Sequence, residues 1–285
     1  MKIIETTCKT ALYKTKIPNC DYTLNPYIGC QHACVYCYMA AFFKKIGYNE
    51  EWGSLVKPKT NIAEVLEREL STGKYDGKVV VLSSATDAYQ PLEKEYELTR
   101  KCLEVMVKHK AGVDILTKSR LLLRDVGLIK QFSYANVGVS INTLDEKVQK
   151  AFEPLAASPE QRLNVLKTLC DEGIKTYAFI APTLPFLTET EELFKELNSI
   201  GVDLIIFDKL NLKTGCLEKV KRVVEEKFPE YAVFYSDKSN FSWKHEYWQA
   251  QRKLLKALAE KYNQNTAFAY RENFKEALKV IEYLK

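Results

Sequence analysis

The sequence has no long apolar run. Met1 to Cys20 alternates polar, charged and apolar residues without the roughly 7–15-residue apolar core of a secretory leader, and no membrane-length stretch follows. Neither a signal peptide nor a membrane span is therefore expected, and the expected location is cytoplasmic. No period of about 20–50 residues repeats, and no low-complexity tract or Gly/Ser linker breaks the chain, which argues against a solenoid or a string of modules. A second C-x2-C pair is missing, as is a fourth cysteine beside a proline, so the usual spacings of a zinc ribbon and of a ferredoxin are not met.

What is present is enough apolar residue for a full-sized core, 46% of 285 residues. Short β-branched runs alternate with longer helical stretches. Strands are expected at 21–24, 79–82, 113–116, 136–142, 174–180 and 203–207, and helices at 96–110, 121–130, 159–172, 189–200 and 217–228. Six βα units call for a parallel sheet with right-handed crossovers, whose active site lies at the carboxyl ends of the strands. Those ends are polar: Ser83, Ser84, Thr86 and Asp87; Thr117, Lys118 and Ser119; Ser140, Asn142 and Thr143; Asp208, Lys209 and Asn211. Any one of them could cap a helix, as Ser119 is expected to do, but four successive polar strand ends point to a ligand site.

Three of the eight cysteines crowd into Cys30-Gln31-His32-Ala33-Cys34-Val35-Tyr36-Cys37. The C-x3-C-x2-C spacing lets one loop wrap a [4Fe–4S] cluster with each thiolate on a different iron, leaving the fourth iron open for chemistry. The amine and carboxylate of S-adenosylmethionine (SAM) suit that open position. A zinc site with His32 as fourth ligand is the alternative. Cys8, Cys20, Cys102, Cys170 and Cys216 stand singly and read as buried structural residues, with a reactive role for Cys216 as the minor alternative.

The chain resembles the radical SAM superfamily and, within it, the spore photoproduct lyase-like branch. The resemblance runs over roughly residues 20–210 through LNPYIGCQHACVYCYM, SSATDAYQPLEKEYELTR, LTKSRLLLRD, VGVSINTLDE and EPLAASPEQRL. It implies a (βα)6 partial TIM barrel with the cluster loop after the first strand. It also implies cluster ligation by Cys30, Cys34 and Cys37, with Tyr36 and Tyr38 along the adenine and Tyr38 as a redox-active relay. Thr86 and Asp87 would hold the methionyl end of SAM, Lys118 its carboxylate, and Ser140 with Asn142 its ribose or carboxylate. Ser84 stands where the lyase carries its hydrogen-donating cysteine. An alcohol holds its O–H hydrogen far more tightly than a thiol, so Ser84 cannot replace that donor and the lesion-repair reaction is not expected.

Residues 211–285 read as a mainly helical cap on the core of residues 1–210. A strand is expected at 231–235, then a helix with Tyr247, Leu254, Leu255, Leu258 and Tyr262 on one face, then a helix at 274–284. This segment carries 15 Lys/Arg against 10 Asp/Glu, whereas residues 1–210 are balanced at 27 against 27. A basic, aromatic-rich cap suits a nucleic acid substrate, since cations meet phosphates and aromatic faces hold unstacked bases. The expected function is thus SAM-dependent radical chemistry on an unspecified substrate, fed by an external one-electron donor. A nucleic-acid-binding protein with a structural cluster, or an electron or cluster carrier, are the competing classes.

Overall fold

The six apolar, β-branched runs become the parallel strands of one sheet. The computed structural model describes residues 1–212, 215–236 and 241–269. Its strands are β1 (Lys2–Ile3), β2 (Leu12–Lys14), β3 (Tyr22–Leu24), β4 (Tyr27–Ile28), β5 (Leu55–Pro58), β6 (Val79–Leu82), β7 (Gly112–Thr117), β8 (Ala135–Ser140), β9 (Thr176–Thr183), β10 (Leu204–Lys209) and β11 (Thr266–Phe268). The main sheet has eight strands in the order β11-β10-β9-β8-β7-β6-β3-β2, all parallel except β2, which runs antiparallel to β3.

Between consecutive parallel strands the chain crosses over through helices, including Leu98–Lys108, Pro159–Asp171 and Thr190–Ile200. Local signals set their boundaries. Helix Pro159–Asp171 starts with a capping box, Ser158 and Gln161 each accepting or donating across the first turn, and with proline in the position that needs no N–H. Ser119 accepts from the Leu121 N–H at 3.2 Å and caps the 3₁₀ turn Arg120–Asp125, as expected.

Side chains alternate across a strand, so each strand serves two layers. Val80, Leu82, Val113, Ile115, Val137, Val139, Ala178, Ile180, Ile205 and Phe207 pack with helical Leu103, Met106, Leu166, Leu169, Leu193 and Phe194 in the main core. The intervening Asp114, Leu116, Asn136, Gly138, Ser140, Tyr177 and Phe179 take the inner face. There Asp114 accepts from Asn136 Nδ2 at 2.7 Å and from Tyr177 Oη at 2.9 Å, and burial pushes its carboxyl up to about 6 against those two bonds.

A second sheet, in the order β1-β5-β4, lies beside the loop that follows β4. It holds that loop very closely. A Cβ at Gly29 would stand 2.3 Å from the Leu55 carbonyl oxygen, and one at Gly53 would stand 2.4 Å from Ala33 Cβ, with both glycines in the left-handed region at φ +85° and +91°.

Two readings of the last quarter change. The 231–235 stretch is helical, a 3₁₀ turn Pro229–Tyr231 running into helix Ala232–Ser236, because Pro229 sits in the first turn and fixes a helical φ. Beyond helix Phe241–Tyr262, whose Leu255 and Leu258 join the main core, the chain returns to the sheet as β11 alongside β10. The helix expected at 274–284 lies outside the described residues. Among the described residues no helix is long and apolar enough to cross a membrane.

Candidate active site

The segment between β4 and helix Met39–Lys45 carries the three cysteines. Cys30 and Cys34 are buried and Cys37 is half-buried; all eight cysteines are free thiols. Burial pushes Cys30, Cys34 and Cys37 each up to about 12, and each is raised further by a neighbouring cysteine of the triplet. Among the described residues no three His, Cys, Asp or Glu side chains converge as they would on one ion. The C-x3-C-x2-C spacing suits a cluster, which takes each thiolate on a separate iron.

His32, the alternative zinc ligand, points elsewhere. Its Nδ1 lies 3.3 Å from Asp87 Oδ2, within ion-pair reach but not aligned as a hydrogen bond. Asp87 is the fastening point of the strand ends. Its Oδ1 accepts from Thr117 Oγ1 at 2.7 Å and from the Tyr89 N–H at 2.9 Å, and its Oδ2 accepts from the Lys118 N–H at 2.9 Å. Burial alone would raise its pKa, but the His32 charge and these hydrogen bonds win and hold the carboxyl well below the usual range. The carboxylate is therefore engaged with protein donors.

Thr86 is similarly occupied, donating to the Gly29 carbonyl at 2.5 Å while accepting from Gln90 Nε2 at 3.0 Å. Gln90 Oε1 accepts from the Gln31 N–H at 2.9 Å, and the Gln31 side-chain oxygen accepts from the Leu92 N–H. Ser84 Oγ sits 2.8 Å from Thr23 Oγ1 and 3.4 Å from Asn25 Nδ2. Tyr38, at 53% exposure, donates its hydroxyl to the Ser84 carbonyl, joining the third cysteine's neighbour to the end of β6.

Tyr36, Lys118, Ser140 and Asn142 form the other side. Lys118 Nζ stands 6.0 Å from the centre of the Tyr36 ring and makes no ion pair among the described residues. Burial works against its charge, but Cys34, Glu153 and Asp87 nearby hold the ammonium above its usual pKa. Asn142 Nδ2 donates to the Tyr36 hydroxyl at 3.4 Å, and its own Oδ1 is buried without a partner among the described residues. Ser83 Oγ at the end of β6 is orphaned in the same way, on a residue with φ +72°. Orphaned polar atoms at two strand ends and an unpaired ammonium between them are what a polar cofactor with a carboxylate would satisfy.

Sequence reasoning missed Glu153 and Arg162, both almost fully buried. Tyr36 donates to Glu153 Oε1 and Arg162 Nη2 donates to Glu153 Oε2. It also missed Gln31, Gln90 and Glu93. Glu93 accepts from the Tyr27 hydroxyl, from the Thr99 N–H at 2.9 Å and from Arg124 Nη2 at 2.8 Å, bracing β4 just before the cysteines. The signal was there in two conspicuous strings, QPLEKEYELTR and EPLAASPEQRL, whose charges had no stated purpose. Cys216 is buried among Val220, Val224 and Tyr235 and reads as structural.

The model of the radical SAM superfamily matches residues 24–199. The chain belongs to the radical SAM superfamily. The radical SAM chain is 39% identical to the uncharacterised protein MJ0683 of Methanocaldococcus jannaschii over 85% of its own length and 89% of that protein's. Its fold matches spore photoproduct lyase complexed with dinucleoside spore photoproduct, at a TM-score of 0.65 and 15% identity, over 94% of this chain and 82% of the lyase. It also matches SuiB of Streptococcus suis bound to the precursor peptide SuiA, at a TM-score of 0.57 and 16% identity, over 90% of this chain and 50% of SuiB. The expected α/β partial barrel is thereby confirmed, and the chain is a radical SAM family enzyme.

Proposed function

We propose that Cys30, Cys34 and Cys37 hold a [4Fe–4S] cluster and that SAM binds between that loop and the strand ends of β7 and β8. When bound, such a cluster would supply, once reduced by an external one-electron donor, the electron for reductive cleavage of SAM that opens radical chemistry on a substrate. The protein's own residues prepare the pocket. Tyr36 presents its ring beside the third cysteine as the wall for the adenine. Lys118, the unpaired ammonium, receives the SAM carboxylate, and Ser140 with the open Oδ1 of Asn142 meets the ribose hydroxyls. Asp87 and Thr86 act behind these groups. Asp87 fixes the Lys118 backbone and Thr86 fixes the Gly29 carbonyl, so their contribution to SAM is through the groups they hold. Tyr38, half-exposed and bonded to the strand end, is assigned on this reading to pass a hydrogen atom between cofactor and substrate; Ser84 is bound into the Thr23–Asn25 group.

The observation that carries this reading is the Lys118 ammonium beside the Tyr36 ring, without an ion pair among the described residues. Lys118→Ala in the cluster-reconstituted protein is expected to weaken SAM binding at least tenfold, a loss of about 1.4 kcal/mol. Wild-type affinity in that variant, measured by equilibrium dialysis, contradicts it.

For the substrate, nucleic acid is favoured over peptide. The basic excess after residue 210 supports it, as does an aromatic group beside the end of β9, where Phe186 packs with Phe234 at 4.1 Å, Tyr247 at 5.0 Å and Tyr231 at 6.2 Å between ring centroids. Single-stranded DNA affinity should then fall steeply with salt. Affinity unchanged between low and high salt argues for a peptide or small molecule.

A further inference from the structure

Glu153 and Arg162 stand nine positions apart in EPLAASPEQRL, and both are almost fully buried. A buried ion pair seldom outperforms apolar residues of the same volume in stability, so its directional bonds matter more than its net energy. Here every one of those bonds ends at the proposed SAM pocket or at the loop that shapes it. Arg162 donates through Nη1 to the Ser140 carbonyl at 2.9 Å, through Nε to the Ala157 carbonyl at 2.8 Å and through Nη2 to Glu153. Glu153 gives its other oxygen to the Tyr36 hydroxyl.

The rest of this loop is tied to the same groups. The Ala157 N–H donates to the Lys118 carbonyl at 3.1 Å, and the Val35 N–H donates to the Phe152 carbonyl at 2.9 Å. Gln149 Nε2 holds the Glu153 carbonyl at 2.7 Å from inside the preceding helix. One buried pair thus reaches three places far apart in sequence: the Tyr36 ring on the cysteine loop, the chain at Lys118 after β7, and Ser140 at the end of β8. Among the described residues, all three guanidinium nitrogens of Arg162 and both carboxylate oxygens of Glu153 are engaged with the protein.

We propose that Glu153 and Arg162 are positioning residues that hold the SAM pocket in its binding geometry before the cofactor arrives, Glu153 acting through the Tyr36 hydroxyl. The proposal rests on the SAM-binding reading given above. It requires that Tyr36 be locked by its hydroxyl: a ring free to turn would give the adenine no fixed wall, and SAM would have to bear the ordering cost on binding.

The test is a double-mutant cycle on SAM affinity in the reconstituted protein, with iron content, thermal unfolding and the electron paramagnetic resonance spectrum of the reduced cluster recorded beside it. Glu153→Gln should weaken SAM roughly 10–100-fold, the range found for outer-shell partners of metal ligands. Tyr36→Phe, which deletes only the hydroxyl, should weaken it by a similar factor at unchanged iron content. In the Tyr36→Phe background, Glu153→Gln should cost less than about twofold more, because its route is already cut. A merely structural role predicts the opposite pattern: both single variants bind SAM and shift the reduced spectrum like wild type while Glu153→Gln unfolds earlier, and that result overturns the proposal. Fully multiplicative losses overturn the route through Tyr36. Should Glu153→Gln not fold, Tyr36→Phe alone decides, since wild-type SAM affinity in it contradicts the proposal. Wild-type protein that carries its cluster but binds no SAM removes the underlying reading instead.

Discussion

The two halves of the sheet are held by different chemistry. From β3 to β8 the strand ends are fastened by buried, directional bonds: Asp87 to Thr117 and the Lys118 N–H, Glu93 to Tyr27 and Arg124, Glu153 to Tyr36 and Arg162. From β9 onward the described contacts add an aromatic and apolar group to hydrogen bonds such as Tyr235 Oη to the Pro185 carbonyl at 2.8 Å. Phe186 packs on Phe234 and Tyr247, while Tyr235 is buried with Val220 and Val224. Directional bonds between buried groups specify one geometry, whereas aromatic packing tolerates small displacements. On the proposed reading, the directional bonds would fix the cofactor side, and the aromatic group would leave the substrate side more adaptable. Relatives in fold that carry a dinucleoside or a peptide differ in what they bind while sharing the barrel.

The sharpest way to break this comparison is to leave one charge stranded on the cofactor side. Arg162→Met should lower stability by about 3–5 kcal/mol, because Glu153 then stays buried and unpaired; chemical denaturation measures it, and a loss below about 1 kcal/mol contradicts the account. Asp87→Asn comes next. An amide cannot accept from all of Thr117, Tyr89 and Lys118 at once, so one donor is orphaned and about 1–3 kcal/mol is lost, with weaker SAM binding alongside.

On the substrate side, Phe186→Gly should be mild, about 1 kcal/mol or less. The lost aromatic contacts are offset by relief of φ +63° at a bulky residue. SAM affinity should stay unchanged, while affinity for single-stranded DNA should fall. A SAM effect equal to that of Asp87→Asn removes the distinction between the two sides.

The inner face supplies a pH test. Asp114 has its carboxyl raised to about 6, above the ordinary aspartate value. Its contribution is full below about pH 4 and is lost as the pH rises through about 6. Wild-type stability should therefore lose at most about 3 kcal/mol across that window from this group, and less because the side chain keeps some contact with water. Asp114→Asn should flatten that part of the curve; an unchanged profile contradicts the assignment.

Much of the barrel was legible because parallel strands buried on both faces read as runs such as Val79-Val80-Val81-Leu82. The strands that were missed, β2 and β11 of the main sheet and β1, β4 and β5 of the second, are two to four residues long and carry no such run. At 231–235 the aromatic spacing imitated a strand, although Pro229 just before it sets a helical turn and Tyr235 packs against Val220 and Val224 from a helix. The cysteine loop stood out by spacing alone. The groups that fasten it did not, because the partner of a buried carboxylate is set by which strands become neighbours: nothing in Glu153 announces Tyr36, 117 positions away. The same holds for Asp87, whose position at a strand end suggested a ligand contact while its bonds go to Thr117, Tyr89 and Lys118.

The central claim is that this chain uses its three cysteines for SAM chemistry. The direct measurement is anaerobic: reconstitute the cluster, reduce it with dithionite, add SAM with and without single-stranded DNA, and quantify 5′-deoxyadenosine by mass spectrometry. The account predicts its formation in wild type and its loss in Cys34→Ala. Intact SAM in both additions, with the cluster present and reduced, contradicts it.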